Sequence, residues 1–503
     1  MIWLVGLLLF IVLIELLACY LPVNQFQKIL AGLCLVIISV DSLLVFGLRP
    51  AVWSALVIYF SVFRVINLIK LIDARKQKDY LRSSFTRSAL VLVLIQTVIL
   101  LLGWVNSWLA LDHLEETGLL SAVTVLSLII MALSLRRSLL KTRPSPDRTF
   151  TPDAKLPSLS VAIPARNETV DLDECLTSLI TSDYPKLEIL VLDDCSQEKR
   201  TPEIIRQYAH DGVRFLAGET PDESWTPKNY AYEQLAAEVN GEIILFVGVD
   251  TRFDYQTIRK MVELKISKKK TMVSFMPVNS LPKTKFKSIL FQPVRYLWEL
   301  AIPRRPFNRP PVLSTCWLID KKLLVENGSF KAVSRSILPE RYFARQAVRK
   351  NDGYSFVCLG KELGLLAKKS LIDQKETAIR TRYPLLKQRI ENVSFIVLSE
   401  LVLFILPILE LIYGLIKRSI FVVIISLINI LIASVVLFVI TRLTYNKAIF
   451  LSAIFYPFVI AYDIFIILYS MWAYEFGEVV WKGRNVSVPV MQIVTRFPTL
   501  SPE

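Results

Sequence analysis

The chain is 503 residues long and 53% hydrophobic, with a mean hydropathy of +0.47 and a formal net charge of +15. That is too apolar for an ordinary soluble protein and points to an integral membrane protein carrying a globular part. Two histidines, His113 and His210, and six cysteines with no C-x-x-C or metal spacing argue against a histidine triad, a zinc centre or a disulfide framework.

Crossing a bilayer takes about 20 apolar residues. Runs of that kind fall near 1–22, 29–48, 51–72, 89–110 and 119–135, then at 394–416, 419–441 and 447–473. The first has no basic start and is followed by further spans, so it reads as an anchor and not as a cleaved signal. The sixth carries Glu400, Pro407 and Glu410, which predicts a segment that is either re-entrant or packed inside a bundle. Basic loops, "KLIDARKQKDYLRSSFTR" (Lys70 to Arg87) and "RRSLLKTR" (Arg136 to Arg143), put the middle of the chain on the cytoplasmic face. Three full crossings after it would leave the basic "WKGRN" outside, a conflict that one non-spanning segment would remove. The positive charge fits loops facing anionic headgroups, and since no nucleic-acid motif accompanies it, no nucleic-acid partner is expected. "KISKKK" (Lys265 to Lys270) reads as a solvated or membrane-facing surface. The expected parts are an N-terminal transmembrane region of about five helices (1–140), a cytoplasmic domain (150–392), a C-terminal transmembrane region of two or three helices (393–475) and a basic tail (476–503).

From Leu159 short β-rich runs alternate with helical stretches: "LSVAIPARNE", "LDECLTSLITSDY", "EILVLDDCS", "TPEIIRQYAH", "VRFLA", "NYAYEQLAAEV", "EIILFVGVD". Alternation of this kind predicts right-handed βαβ units and a mostly parallel sheet flanked by helices. Such sheets bind ligands at the carboxyl ends of their strands. Pro164, Arg166 and Glu168 follow the first strand, Asp193 and Asp194 the second, and Asp250 the fourth. Three strand ends that bring acids together carry more weight than any one of them.

Together with "W-x-x-K-N" (Trp225, Lys228), "FKAVSRSILPERYFAR" and the tail "WKGRN", these runs resemble the successive motifs of family 2 glycosyltransferases with a GT-A fold. The nearest likeness is to membrane-bound members that glycosylate lipids, such as ceramide glucosyltransferases and bacterial carotenoid glycosyltransferases. The resemblance implies an α/β GT-A domain set between two transmembrane bundles and a nucleotide-sugar donor. Asp193 and Asp194 would meet the base or ribose, Arg166 and Glu168 would line the base pocket, Lys228 would meet the diphosphate, and Asp250 would bind Mn2+ or Mg2+. The family's D-x-D is here Gly248-Val249-Asp250, so the first carboxylate is missing. Either the diphosphate and a neighbour such as Asp194 complete the shell, or transfer is metal-independent, or the site is degenerate.

An inverting transfer needs an acceptor-side carboxylate to take the hydroxyl proton. Aligned without gaps on the family's "I-L-E-D-x-x-L-A-R", Pro339 falls at the Glu and Glu340 at the base; matching the Glu residues instead puts Arg341 there and disables the site. The Q-x-x-R-W element is reduced to Gln388 and Arg389 without a Trp, which disfavours a processive polysaccharide synthase. Phe286 to Pro311, apolar residues interleaved with Arg and Lys, reads as an interfacial mouth for a lipid acceptor. The expected activity is inverting transfer from a nucleotide-sugar to a membrane lipid, polyisoprenoid or carotenoid, and the rival is a non-catalytic donor-binding scaffold.

Overall fold

The computed structural model describes residues 52–72, 78–109, 113–142, 151–222, 224–279, 294–301, 310–350, 353–358, 360–445 and 450–487, with isolated positions before residue 33. Strand β1 (Leu159–Ala165) is buried along almost its whole length, as expected of an interior strand covered on both faces. It pairs in parallel with β2 (Leu187–Asp193) and β4 (Ile243–Val247), and β2 pairs in parallel with β3 (Val213–Ala217). Beyond β4 one strand, β8 (Cys316–Asp320), runs the opposite way, antiparallel to both of its neighbours β4 and β6 (Met272–Phe275). β9 (Tyr354–Val357) joins β6 in parallel, giving the order β3-β2-β1-β4-β8-β6-β9. The sheet is therefore mixed, its parallel half being the part that the alternating runs predict. A second, three-stranded sheet places β10 (Leu365–Ala367) between β5 (Thr251–Phe253) and β7 (Val278–Asn279).

Register fixes the site. Ala165 lies opposite Asp193, and the Asp194 amide donates to the Ala165 carbonyl at 2.8 Å, so Arg166 and Asp194 emerge side by side at one sheet edge. Asp250 follows β4 at the same edge, in a turn closed by the Thr251 amide donating to the Gly248 carbonyl.

Among the described residues five helices are long and apolar enough to cross a membrane: Ser84–Gly103, Thr117–Leu139, Ile390–Ile416, Ile420–Tyr445 and Tyr456–Phe476. The runs at 1–22 and 29–48 lie outside the described residues. The run at 51–72 forms a helix, Val52–Ile72, that is not one of these five. Ile390–Ile416 is continuous, with a π-helical turn at Leu401–Ile405 just ahead of Pro407. The wider turn accommodates the missing proline N–H and its ring. Glu400 and Glu410 are buried, and the Ser121 hydroxyl donates to Glu410 at 2.6 Å, so the segment packs inside the bundle.

Polar contacts join the bundle to the α/β part. Asp463, fully buried in Tyr456–Phe476, accepts from Arg382 at 2.5 Å and from the Val294 amide at 3.1 Å. Glu475 pairs with Lys70 at 2.9 Å and accepts from the Tyr383 hydroxyl. Charges removed from water persist only when paired and hydrogen-bonded, and these are. The described part of Phe286 to Pro311, Val294 to Ala301, is buried against this bundle and does not lie on the surface as an interfacial segment would. Lys265 likewise departs from the expected solvated run: it is buried and paired with Asp320 at 2.5 Å.

Candidate active site

A cavity of about 170 Å³ opens where β1 and β4 end, lined by Pro164, Glu168, Lys228, Tyr232, Gly248, Asp250 and Thr315. Lys368, Lys369 and Arg380 close it from segments more than a hundred residues beyond Asp250, and Trp481 and Lys482 from further still. Four of the expected residues, Pro164, Glu168, Lys228 and Asp250, thus share one space. Arg166, Asp193, Asp194 and Glu340 do not line it.

Arg166 has turned into the backbone. Its guanidinium donates to the carbonyls of Asp194 and Cys195, both at 2.6 Å, and to that of Lys482 at 3.0 Å. Asp194, 3% exposed, is gripped at both carboxylate oxygens by Arg484 at 2.8 and 2.9 Å. Asp193 accepts from the Ser196 amide at 3.3 Å and holds the turn after β2. These three residues build the wall of the site, where the sequence reading had them facing the base.

What they hold is the tail. After Tyr456–Phe476 the chain forms a hairpin, Val480–Trp481 against Arg484–Asn485, turned by Lys482 at φ +48° and Gly483 at φ +76°. Two successive positive φ values make the tight two-residue turn that matches strand twist, and glycine takes the second at no steric cost. The turn aims Lys482 at Glu168, 3.0 Å away, and sets the Trp481 ring beneath Arg380 at 4.8 Å. Burial raises the pKa of Glu168, partly offset by Lys482, and burial raises that of Asp194, partly offset by Arg484. The resemblance of "WKGRN" to a family tail pointed to this segment; its ion pairs with Glu168 and Asp194 had no local signal.

Asp250 pairs with Lys369 at 3.1 Å. At Gly248, where the family's first carboxylate would stand, an added Cβ would meet the Asp250 Oδ1 at 2.6 Å, closer than real contacts allow unless Asp250 moves. No group of three His, Cys, Asp or Glu side chains able to hold a metal occurs among the described residues. One carboxylate already neutralised by an ammonium does not fit a protein-held divalent cation.

Glu340 opens the helix Glu340–Arg349, is 1% exposed, and neither carboxylate oxygen has a hydrogen-bond partner among the described residues. Its charge acts on Tyr232, whose phenol is held above its usual range by burial first and by Glu340 second. Tyr232 lines the cavity and feels the charge of Glu340, which does not line it. A buried carboxylate left unsatisfied is costly, and sites of chemistry are where such costs concentrate.

Residues 160–328 match the profile of Glycosyl transferase family 2. The chain is 35% identical over 99 residues to Glycosyltransferase AglE of Haloferax volcanii, covering 19% of this chain and 31% of that protein. It is 33% identical over 100 residues to Probable glycosyltransferase YdaM of Bacillus subtilis, covering 19% and 23%. The chain thus spans a third or less of the length of these relatives. Among solved structures, mannosyltransferase PcManGT from Pyrobaculum calidifontis, in complex with GDP-Man and Mn2+, superposes with a TM-score of 0.43 at 16% identity, covering 71% of this chain and 99% of that one. TarS 1-349 from S. aureus with UDP-GlcNAc does so at 0.31 and 16%, covering 65% and 95%. Residues 160–328, which match the Glycosyl transferase family 2 profile, carry most of the large sheet with the strand-end acids at its edge, and lie between apolar helices.

Proposed function

We propose that the chain is an inverting glycosyltransferase that moves a sugar from a nucleotide-sugar donor to an acceptor held in the membrane. The observation that carries this reading is the cavity at the ends of β1 and β4, with Glu168 and Asp250 facing Lys228, Lys369 and Arg380. The donor's diphosphate sits against those cations, whose charge stabilises the negative charge developing as it leaves. The bond between the anomeric carbon and the diphosphate oxygen breaks while the acceptor oxygen bonds to the opposite face of that carbon, and the acceptor proton passes to Glu340. Glu340 does not line the cavity, so Tyr232, which lines it and feels the Glu340 charge, is the group that relays that proton. Arg166, Asp193 and Asp194 act by holding the tail hairpin, so the nucleotide contacts expected of them pass to Glu168, Trp481 and Lys482.

A second, smaller cavity supports an acceptor that comes from the bilayer. It shares Asp250, Thr315 and Lys369 with the first and runs to Thr444 and Tyr445, at the end of the candidate span Ile420–Tyr445. The basic loops support a domain on the cytoplasmic face.

The test is transfer of radiolabelled sugar from a panel of nucleotide-sugars into a lipid extract by the purified chain in lipid nanodiscs. Incorporation that Glu340→Gln abolishes supports the reading. Tight nucleotide binding without turnover by the unaltered chain points instead to a donor-binding scaffold.

A further inference from the structure

A third cavity, of about 290 Å³, is not used by the donor, and its lining is strongly cationic. Arg335, Arg341, Arg345 and Lys387 all line it, and the lining contains no carboxylate. Charges of one sign converge only at a cost, and Lys387 registers it: its ammonium is lowered by burial first and then by Arg389, Arg345 and Arg341. Asp222, outside the lining, feels the charge of Arg335. Two further observations mark the place. Lys387 and Gln388, both lining residues, sit at φ +60° and +51°, two successive non-glycine residues in the strained left-handed region. They also stand directly before Ile390–Ile416, a candidate span, so the cavity lies where a headgroup layer meets the protein.

The cavity communicates with the donor site. Ser336, Ile337 and Leu338 line both it and a narrow space that also touches Lys228, Arg380 and Trp481 of the donor cavity. Arg341 and Arg345 are carried on the helix whose first residue is Glu340, the proposed base.

We propose that the Arg335–Arg341–Arg345–Lys387 cavity binds the phosphate of the acceptor, and that the acceptor is therefore a phosphate-bearing lipid and not a neutral alcohol. Arginine forks match phosphate oxygens in pairs, and a lysine adds a point charge. This inference rests on the proposed transferase reading, which it narrows.

The test uses the full chain in phosphatidylcholine nanodiscs with dodecyl phosphate and dodecanol as probes, binding being read by native mass spectrometry. Dodecyl phosphate binds about tenfold or more tightly than dodecanol. The double variant Arg345→Glu, Lys387→Glu abolishes that preference, Arg345→Lys with Lys387→Arg keeps most of it, and neither changes binding of UDP or GDP. Equal binding of the two probes, or a preference that survives the charge reversal, overturns the proposal. Phosphatidylglycerol added to the nanodiscs separates the sources: displacement of dodecyl phosphate in proportion to its amount marks a general headgroup site and overturns the acceptor assignment. Failure of the broader reading has a different signature, the absence of UDP and GDP binding in every variant.

Discussion

Two regions meet at the donor cavity and differ in how they arrive there. Glu168 and Asp250 come from the ends of adjacent parallel strands, less than ninety residues apart, and the sheet register alone sets their spacing. Lys369, Arg380, Trp481 and Lys482 come from beyond β10, from the helix Leu371–Leu385 and from the tail after the last span, and are held by Arg382–Asp463, Glu168–Lys482 and Asp194–Arg484. Glu168 and Asp250 are thus placed by local topology, as is Lys228, whereas Lys369, Arg380 and Lys482 are placed by long-range docking of the apolar-helix bundle onto the domain. On the proposed reading, catalysis depends on this interface, and contacts of the helical bundle set half of the cavity wall.

Four predictions break or sharpen this contrast. Glu340→Gln lowers transfer by about 10²–10⁴-fold while UDP and GDP binding stays within twofold or so of the unaltered chain, as loss of a base alone requires. Binding by titration calorimetry beside the transfer assay separates the two effects.

Lys369→Met weakens nucleoside diphosphate binding by about 10–100-fold, the loss of one charge-assisted contact. In the unaltered chain EDTA leaves that binding unchanged, because Asp250 is already neutralised by Lys369. In Lys369→Met the freed Asp250 makes binding respond to Mn2+. Equal dependence on Mn2+ in both proteins would show that Lys369 is not the counter-charge.

Arg484→Ala leaves Asp194 buried and unpaired, which costs about 1–3 kcal/mol and loosens the hairpin. Limited proteolysis of the tail accelerates, nucleotide affinity falls with it, and thermal unfolding of the α/β part shifts little. Arg484→Lys restores protection only in part, since an ammonium lacks the second guanidinium nitrogen that reaches the Asp194 carbonyl.

The smallest effect is a pH dependence. Glu168 has its pKa raised by burial, so the folded chain keeps a proton that the unfolded chain has released. Its stability contribution is therefore fullest below the ordinary carboxylate range and declines as pH rises through the raised value. Glu168→Gln does not titrate, so its melting temperature gains on that of the native chain between pH 4 and 7; parallel melting curves would remove burial as the dominant influence.

Much of this was legible in the sequence. Alternating strands and helices predict the parallel half of the sheet, and Asp250 after "ILFV" predicts an acid at its edge, because both are consequences of local periodicity. The antiparallel strand β8 and its neighbour β6 were not read, since their partners lie far along the chain. Arg166 and Asp194 look like ligand residues by motif, yet they hold the tail, and only the positions of Lys482 and Arg484 in space reveal that. The basic cavity was invisible for the same reason: Arg335 and Lys387 are fifty-two residues apart and converge only when the helix Leu371–Leu385 packs down.

The central claim is that strand-end acids and late-chain cations face one nucleotide. Photoaffinity labelling with a radiolabelled azido-nucleotide in nanodiscs, followed by peptide mapping, tests it directly. The account predicts label on peptides from both sides of the cavity, around Glu168 or Asp250 and around Lys369 or Trp481, displaced together by unlabelled nucleotide. Label confined to one side, or lying outside these segments, would contradict it.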